Sequence, residues 1–233
     1  MKTKIIILIS IVFLAIAVFV SAYLRPTYDQ STNKLNFNIP KAGWYLVPLG
    51  FQLDGCQRKI KAIWIWSPTL NKYLGGKNYN QLQISDADMQ HFEADKDDMY
   101  LYTIPKLGGE WVYISGPCEI EDYMPFEHLT MNQIAEQFNQ YKLGQGWNFF
   151  TIIPAYINHS LNDISGDCNI VKVAEWKANS QSWNIPSNLD DALNVKWHSH
   201  DVGGVVLIKV TETCNLGLES AEEERSEPPT LPK

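Results

Sequence analysis

The chain contains 233 residues, with 19 Lys or Arg against 26 Asp or Glu, and its formal net charge at pH 7 is −7. A balance this acidic argues against binding of DNA or RNA through the phosphates, because that mode needs a stripe of basic side chains. At ~150 residues per domain, the length allows one or two domains.

Residues 1–24 have the pattern of an export signal. Lys2 and Lys4 precede the apolar run Ile5–Val20, which predicts either a signal peptide or an N-terminal transmembrane helix. The small residues of Val20-Ser21-Ala22 favour cleavage, whereas an apolar stretch of ~20 residues favours retention as a single-pass anchor. In both cases the lysines stay cytoplasmic, so the rest of the chain is predicted to be secreted or to lie on the extracellular face of the membrane.

A polar linker is predicted over residues 25–42, and a segment that occurs twice follows it. Gly43–Cys118 and Gly146–Cys214 share six landmarks in the same order. These are a Gly-Trp opening, a cysteine, a strand ending in Trp, an aromatic residue seven positions later, a Gly-Gly pair and a closing cysteine. The repeat predicts a mainly β fold with two tandem homologous modules, residues 43–120 and 146–218.

A short connector helix is predicted between the modules, over residues 121–145. Ile134, Phe138 and Tyr141 recur there at the spacing of one helix face. Beyond the second module, residues 219–233 contain five glutamates and three prolines. Too little of this segment is apolar to offset the entropy of ordering it, so the sequence predicts a disordered tail.

Strands are predicted where aromatic and branched residues run between Gly and Pro punctuation. They are, in chain order, Gly43–Pro48, Ala62–Trp66, Met99–Ile104, Trp111–Ser115, Trp147–Ile153, Ile170–Trp176 and Val205–Thr211. The acidic segment Asp86–Asp98 is predicted to be a solvated loop or a short helix. It lacks the fixed spacing and central glycine of a recognised calcium loop, so calcium binding there is not favoured.

The four cysteines allow three pairings, and the repeat selects Cys56–Cys118 and Cys168–Cys214. Each bridge then joins the start of a module to its end and is worth about 4 kcal/mol in the chain-entropy model. Disulfides agree with an exported protein. The alternative, a four-cysteine zinc site, lacks the CxxC spacing that such sites use.

The repeat landmarks carry a family resemblance. The Gly-Trp opening and the Gly-Gly turn into Trp111-Val-Tyr-Ile114 resemble the small β modules, often in tandem, of exported bacterial and archaeal surface proteins, which open with a Gly-Trp-Asn strand. The resemblance covers about two thirds of the chain and implies a non-enzymatic surface or binding role. Tyr45 departs from the asparagine of that pattern. The second copy has Val205–Ile208 where the first has Trp111 and Tyr113, so the first copy is the better candidate for an aromatic binding surface.

Aromatic residues are the remaining feature, with 8 Trp and 11 Tyr in the chain. Repeat-matched tryptophans are expected to fill the core, because a shared fold needs them; these are Trp44, Trp66, Trp147 and Trp176. The candidates for a binding surface, which can stack on sugars or anchor a protein interface, are Trp64, Tyr79, Tyr102, Trp111 and Tyr113.

Metal and catalytic motifs are sparse. His198 and His200 would point the same way in a strand, and Asp201 follows them, but a zinc site needs a third and usually a fourth ligand. No Gly-x-Ser-x-Gly elbow or phosphate-binding loop occurs, and a thiol nucleophile has no candidate once the cysteines are paired. We therefore expect no enzyme and no cofactor.

Together these patterns predict a non-catalytic surface protein that binds a protein or a glycan, or associates with itself, and does not bind nucleic acid. One alternative is a structural subunit of an envelope, spike or filament, which an exposed edge strand at Val205–Thr211 would favour. A second alternative is a metal-dependent hydrolase that uses His198 and His200.

Overall fold

The computed structural model describes residues 26–77, 84–124 and 141–217, and within them the fold is mainly β, as the sequence predicts. The strands are β1 Thr27–Asp29, β2 Lys34–Ile39, β3 Gly43–Pro48, β4 Ile60–Ser67, β5 Lys72–Lys77, β6 Gly109–Ile114, β7 Cys118–Tyr123, β8 Lys142–Leu143, β9 Gly146–Thr151, β10 Ile170–Lys177, β11 Ser182–Asn184, β12 Val205–Val210 and β13 Cys214–Asn215. The α-helices are α1 Asp86–Asp97 and α2 Leu189–Asn194, and 3₁₀ turns occur at Asp54–Lys59, Leu101–Thr103, Pro154–Tyr156, Asn162–Ile164 and Ser199–Asp201.

Two four-stranded antiparallel sheets form the centre of the fold and have the same strand order. Sheet 1 is β3-β6-β4-β5 and sheet 2 is β9-β12-β10-β11. If the four strands of each sheet are numbered in chain order, both sheets have the spatial order first, fourth, second, third. The register also agrees, since the corresponding outer pairs are Gly43↔Ile114 and Gly146↔Val210. Each second strand has a register shift at its start, between Ile60 and Ala62 and between Ile170 and Lys172.

The opening strand of each sheet has an equivalent side-chain hydrogen bond, although one strand has Tyr45 where the other has Asn148. The Asn148 side-chain amide donates to the carbonyl of Gly144 at 2.7 Å and accepts from its N–H at 3.0 Å. Tyr45 occupies the same strand position in sheet 1, and its hydroxyl donates to the carbonyl of Lys41 at 2.7 Å. Both side chains therefore reach the carbonyl four residues back and close the turn that leads into the strand.

Both predicted disulfides are confirmed. Cys56 and Cys118 are bonded with a Cα–Cα distance of 5.4 Å, and Cys168 and Cys214 with 5.1 Å. In each case the bridge ties the segment before the second strand to the segment just after the fourth, because Cys118 and Cys214 follow β6 and β12 by the same interval. Two disulfides are consistent with an extracellular or secreted protein.

The sheets pack against each other through one face each, which we call the inner faces. Trp111, Phe149 and Leu207 lie buried in this interface. The approach is close at Gly109, where a Cβ atom would meet a methyl carbon of Val205 at 2.5 Å. The opposite faces of both sheets contribute to a larger continuous core, so the sheets do not form separate hydrophobic units.

Part of the predicted linker is structured, contrary to the sequence prediction for residues 25–42. β1 and β2 form a three-stranded antiparallel sheet with β7. Leu35, Phe37 and Ile39 of β2 are buried in the core, whereas the residues between them are polar. This alternation is the signature of a half-buried strand, and it outweighs the polar composition of the segment.

Two further strand predictions are corrected. Met99–Ile104 was predicted as a strand, but Leu101–Thr103 forms a 3₁₀ turn that brings Tyr102 against α1. β12 lies between β9 and β10 and pairs with both, so it is not the free edge that a filament subunit would use. The acidic segment forms α1, with Ser85 accepting a hydrogen bond from the Asp88 N–H as its N-cap.

Several predictions fall on other parts of the chain. The N-terminal apolar run, the acidic tail 219–233 and most of the connector 121–145 lie outside the described residues. At the ends of the connector, residues 121–123 belong to β7 and residues 142–143 to β8. In the part of the chain that the structure describes, no helix is both long and apolar enough to cross a membrane.

Candidate ligand-binding site

An open cavity of about 450 Å³ lies between the inner faces of the two sheets. All the described residues that line it are aromatic: Trp44, Trp64, Tyr73, Trp111, Trp176 and Trp183. We call this cavity the aromatic cleft. Sheet 1 supplies the first four of these side chains and sheet 2 the last two.

Strand alternation and register bring these rings to one face. In sheet 1, Trp64 stands opposite Trp111 on β6, and two residues further along β4 Trp66 stands opposite Tyr73 on β5. Residues directly opposite in neighbouring strands share a face, as do residues two apart in one strand. Gly75, the β5 partner of Trp64, has a φ of +117°, and a Cβ there would meet the Ile63 carbonyl oxygen at 2.3 Å. β5 therefore presents no side chain beside Trp64.

Trp111 forms the floor of the cleft and is 8% exposed. Its ring meets those of Trp44, Trp176 and Trp183 edge-to-face, with centroid distances of 6.3, 4.9 and 5.5 Å and interplanar angles of 87°, 85° and 83°. Such edge-to-face pairs are worth about 0.5–1.5 kcal/mol each beyond their buried area. The near-perpendicular orientation of each ring to Trp111 places the three rings as walls around an open space.

Indole N–H groups lock the two sheets together reciprocally. Trp66 Nε1 donates to the Trp147 carbonyl at 2.7 Å, and Trp176 Nε1 donates to the Trp44 carbonyl at 3.0 Å. Trp66 and Trp176 occupy the same position in their sheets, as do Trp44 and Trp147. The two hydrogen bonds are thus related by an approximate two-fold axis.

A second cavity of about 280 Å³ adjoins the first. Its lining includes Trp66, Tyr73, Trp147, Ala174, Trp183 and Leu207. Each of the six residues that line the aromatic cleft has a counterpart at the same strand position of the other sheet. Those six counterparts are the residues just named. Tyr73 and Trp183 line both cavities, and we call the two together the groove. The second half differs in having Ala174 and Leu207 where the first has Trp64 and Trp111.

Tyr73 and Trp183, which line both cavities, are 46% and 40% exposed, and Ile185 at the second cavity is 63% exposed. The Tyr73 hydroxyl lies beside the Trp111 indole. Burial against the neighbouring rings raises the pKa of this hydroxyl, although the Trp111 indole opposes the effect. The hydroxyl therefore stays neutral and offers a ligand a polar handle inside an aromatic wall.

The predicted binding-surface residues divide into three groups. Trp64 and Trp111 line the aromatic cleft, and Tyr113 packs on Trp44 next to it with a ring distance of 5.2 Å. Tyr102 is 1% exposed, so it does not contribute to any surface. Tyr79 lies outside the described residues.

Tyr102 instead joins a buried network below sheet 1. Its hydroxyl donates to the Asp95 carboxylate, which also accepts from the Thr69 hydroxyl at 2.5 Å. Burial, with the neighbouring Asp95 carboxylate, raises the pKa of Tyr102. The network attaches α1 to the sheet. Asp95, one of the carboxylates of the acidic segment, therefore stabilises the fold.

The repeat-matched tryptophans, expected in the core, pack against the buried cluster between the sheets and also line the groove. Trp44, Trp66, Trp147 and Trp176 are only partly buried, because their rings border the two cavities. Trp64 and Trp66, two residues apart in one strand, were a sequence signal for an aromatic sheet face. The spacing of residues along the sequence does not predict that the inner faces of the two sheets pack against each other.

The histidine pair does not assemble a metal site in this structure. The His198 and His200 rings lie 5.4 Å apart and are exposed. Asp201 is used locally, because it accepts from the His198 N–H at 2.9 Å as part of a capping box. Among the described residues, the single cluster with metal-ligand geometry is Asp167 with Cys168 and Cys214, and its two cysteines are disulfide-bonded.

Comparison of the chain with protein-family models, with curated proteins and with solved structures found no match. The resemblance of the two copies to small surface-protein modules therefore stays a prediction.

Proposed function

We propose that this chain is a non-catalytic binding protein and that the groove, centred on the aromatic cleft, takes an extended proline-containing segment of a partner protein. The observation that carries the proposal is the lining of the cleft, five indoles and one phenol around about 450 Å³. Aromatic-lined grooves are the recognition mode for proline-rich segments in a polyproline II conformation, which present apolar rings and lose little entropy on binding.

The polar groups of the groove favour a protein over a glycan. The indole N–H groups of Trp66 and Trp176 already donate to protein acceptors. A sugar brings many hydroxyl groups, and each one that loses water without a new hydrogen bond opposes binding. Proline has no N–H to satisfy, so its ring can stack on an indole at a small polar cost.

The architecture of the site supports a duplication. We infer that sheets 1 and 2 are two copies of one disulfide-closed module, joined in tandem and packed about an approximate two-fold axis. The common strand order, register and bulge position support this inference, as do the reciprocal Trp66 and Trp176 hydrogen bonds. The apolar run at residues 5–20 and the two disulfides support an exported protein, held at the extracellular face of a membrane by that run.

Titration of the protein with a capped oligoproline peptide, followed by tryptophan fluorescence, tests the proposal. Trp64→Ala and Trp111→Leu install the residues found at the equivalent positions of sheet 2, and each is expected to weaken binding about tenfold or more. Tyr123→Ala is the matched control, because Tyr123 is an exposed aromatic residue of β7. A cellulose-derived oligosaccharide serves as the competing probe. Binding of the sugar alone, or of neither probe, would contradict the proposal.

A further inference from the structure

The segment that follows the second sheet has two chemically distinct halves. Residues 219–227 contain five glutamates, and residues 228–232 read Pro-Pro-Thr-Leu-Pro. Pro229 and Pro232 have the Pro-x-x-P spacing that aromatic grooves recognise. The groove proposed above as a peptide site therefore has a candidate occupant in its own chain.

The groove also has two distinct halves. On the inner face of sheet 2, Lys209 stands directly opposite both Lys172 and Trp147, one row beyond Ala174 and Leu207. Among the residues that the structure describes, no ion pair within 4 Å is formed by Lys172 or Lys209. Lys172 and Lys209 thus lie beside the half of the groove that Ala174 and Leu207 line, on the same face of sheet 2.

The spacings agree. Lys172 and Trp176 are four residues apart along β10, which corresponds to about 13 Å. Glu224 and Pro228 are also four residues apart, which corresponds to about 12 Å in a polyproline II conformation. An extended segment can therefore place a glutamate near the lysines and a proline in the aromatic cleft at the same time.

The segment is also long enough to reach. The described residues end at Gly217, which bridges to Ser165. From Gly217 to Pro229 the chain can span about 40 Å when extended, which is about the diameter of a compact unit of this size.

We propose that residues 219–233 occupy the groove of their own molecule, with Pro228–Pro232 in the aromatic cleft and the glutamates beside Lys172 and Lys209. This inference rests on the groove being a peptide site. The tethered segment competes with an external partner at a millimolar effective concentration, so the groove is self-blocked until a tighter partner displaces the segment.

The test compares the full chain with a chain that ends at Leu218, both titrated with a synthetic peptide of residues 219–233 while tryptophan fluorescence is recorded. The shortened chain is expected to bind the peptide saturably, and the full chain at least about tenfold more weakly. Pro229→Ala with Pro232→Ala in the full chain keeps the length and is expected to restore binding of the external peptide. Lys172→Glu with Lys209→Glu is expected to weaken peptide binding to the shortened chain, whereas Lys61→Glu, an exposed lysine of β4, is the matched control.

The outcomes separate the two proposals. If oligoproline binds the shortened chain but the 219–233 peptide does not, the self-occupancy is wrong and the peptide site stands. If neither binds, both are wrong. Equal affinity of the full and shortened chains for the peptide overturns self-occupancy. Competition that depends on protein concentration assigns the segment to a second copy and overturns the intramolecular arrangement.

Discussion

Glu110 makes a specific prediction for the pH dependence of stability. It lies on β6 in the interior, 6% exposed, opposite Val47 and Ile65. Burial raises the pKa of its carboxyl group to about 8, although a hydrogen bond from the Gly50 N–H and the nearby Lys106 ammonium both favour the charged form. The equivalent residue of sheet 2 is Val206, so the framework does not require an acid here.

The sign of the effect follows from proton binding. The pKa of 4.5 expected in the unfolded chain is lower than the folded value of about 8, so between these limits the folded state holds a proton that the unfolded state has released. This contribution to stability is fully present below about pH 4.5 and is lost as the pH rises to about 8. One proton corresponds to about 1.4 kcal/mol per pH unit. Burial lowers the pKa of Lys106 to about 8, against the ion pair of its ammonium with Asp122, so its own titration would raise stability only above that pH.

Glu110→Gln keeps the shape of the protonated side chain and removes the titration. Guanidinium denaturation of both proteins between about pH 5 and 8, with the disulfides intact, should show the parent losing stability relative to the variant as the pH rises. Glu212→Gln is the control, because Glu212 is exposed. A stability difference that does not change with pH, or one that changes in the opposite direction, would refute the burial argument.

Three other changes have expected magnitudes. Replacing Cys56 and Cys118 by serine should lower the free energy of unfolding by about 4 kcal/mol, because the bridge closes a loop of 62 residues; denaturation without reductant measures it. Trp66→Phe and Trp176→Phe should each cost at least about 1 kcal/mol through the lost hydrogen bond, and a neutral result for either would show that its indole N–H does not help to hold the sheets together. Tyr102→Phe should cost about 1–3 kcal/mol in thermal unfolding, because it removes a donor from a buried carboxylate, and a neutral result would show that carboxylate to be satisfied otherwise.

The sequence predicted those parts of the fold that its repeat encodes. Recurring cysteines and Gly-Trp openings predicted the disulfide pairing and the first, second and fourth strands of each sheet, because these landmarks recur in the same order along the chain. The sequence did not lead to a prediction of β2, although apolar and polar residues alternate from Leu35 to Ile39, because the polar residues there are also typical of a linker. Met99–Ile104 has strand-forming residues, but hydrogen bonding of Tyr102 to Asp95 and packing on α1 favour a turn there.

The groove was only partly predictable. Trp64 and Trp111 were identified as surface candidates because the second copy lacks them. The contribution of Trp176 and Trp183 depends on how one sheet face meets the other, and that is a long-range contact with no local spacing signal. Partial burial also explains why the matched tryptophans were assigned to the core, since a ring can line a cavity and still support the fold.

Several differences between the two sheets lie in the groove or beside it. The hydrogen-bonding pair Trp66 and Trp176 is kept on both sides of the approximate axis, as are the disulfides. On the inner faces, by contrast, Trp64 and Trp111 correspond to Ala174 and Leu207, and the row beyond them has Ala62 and Tyr113 in sheet 1 but Lys172 and Lys209 in sheet 2. A groove built for packing alone would gain nothing from two like charges facing each other across neighbouring strands, which is unfavourable. One framework with two unlike halves is the arrangement expected of a site that binds an asymmetric, directional ligand such as an acidic, proline-containing peptide.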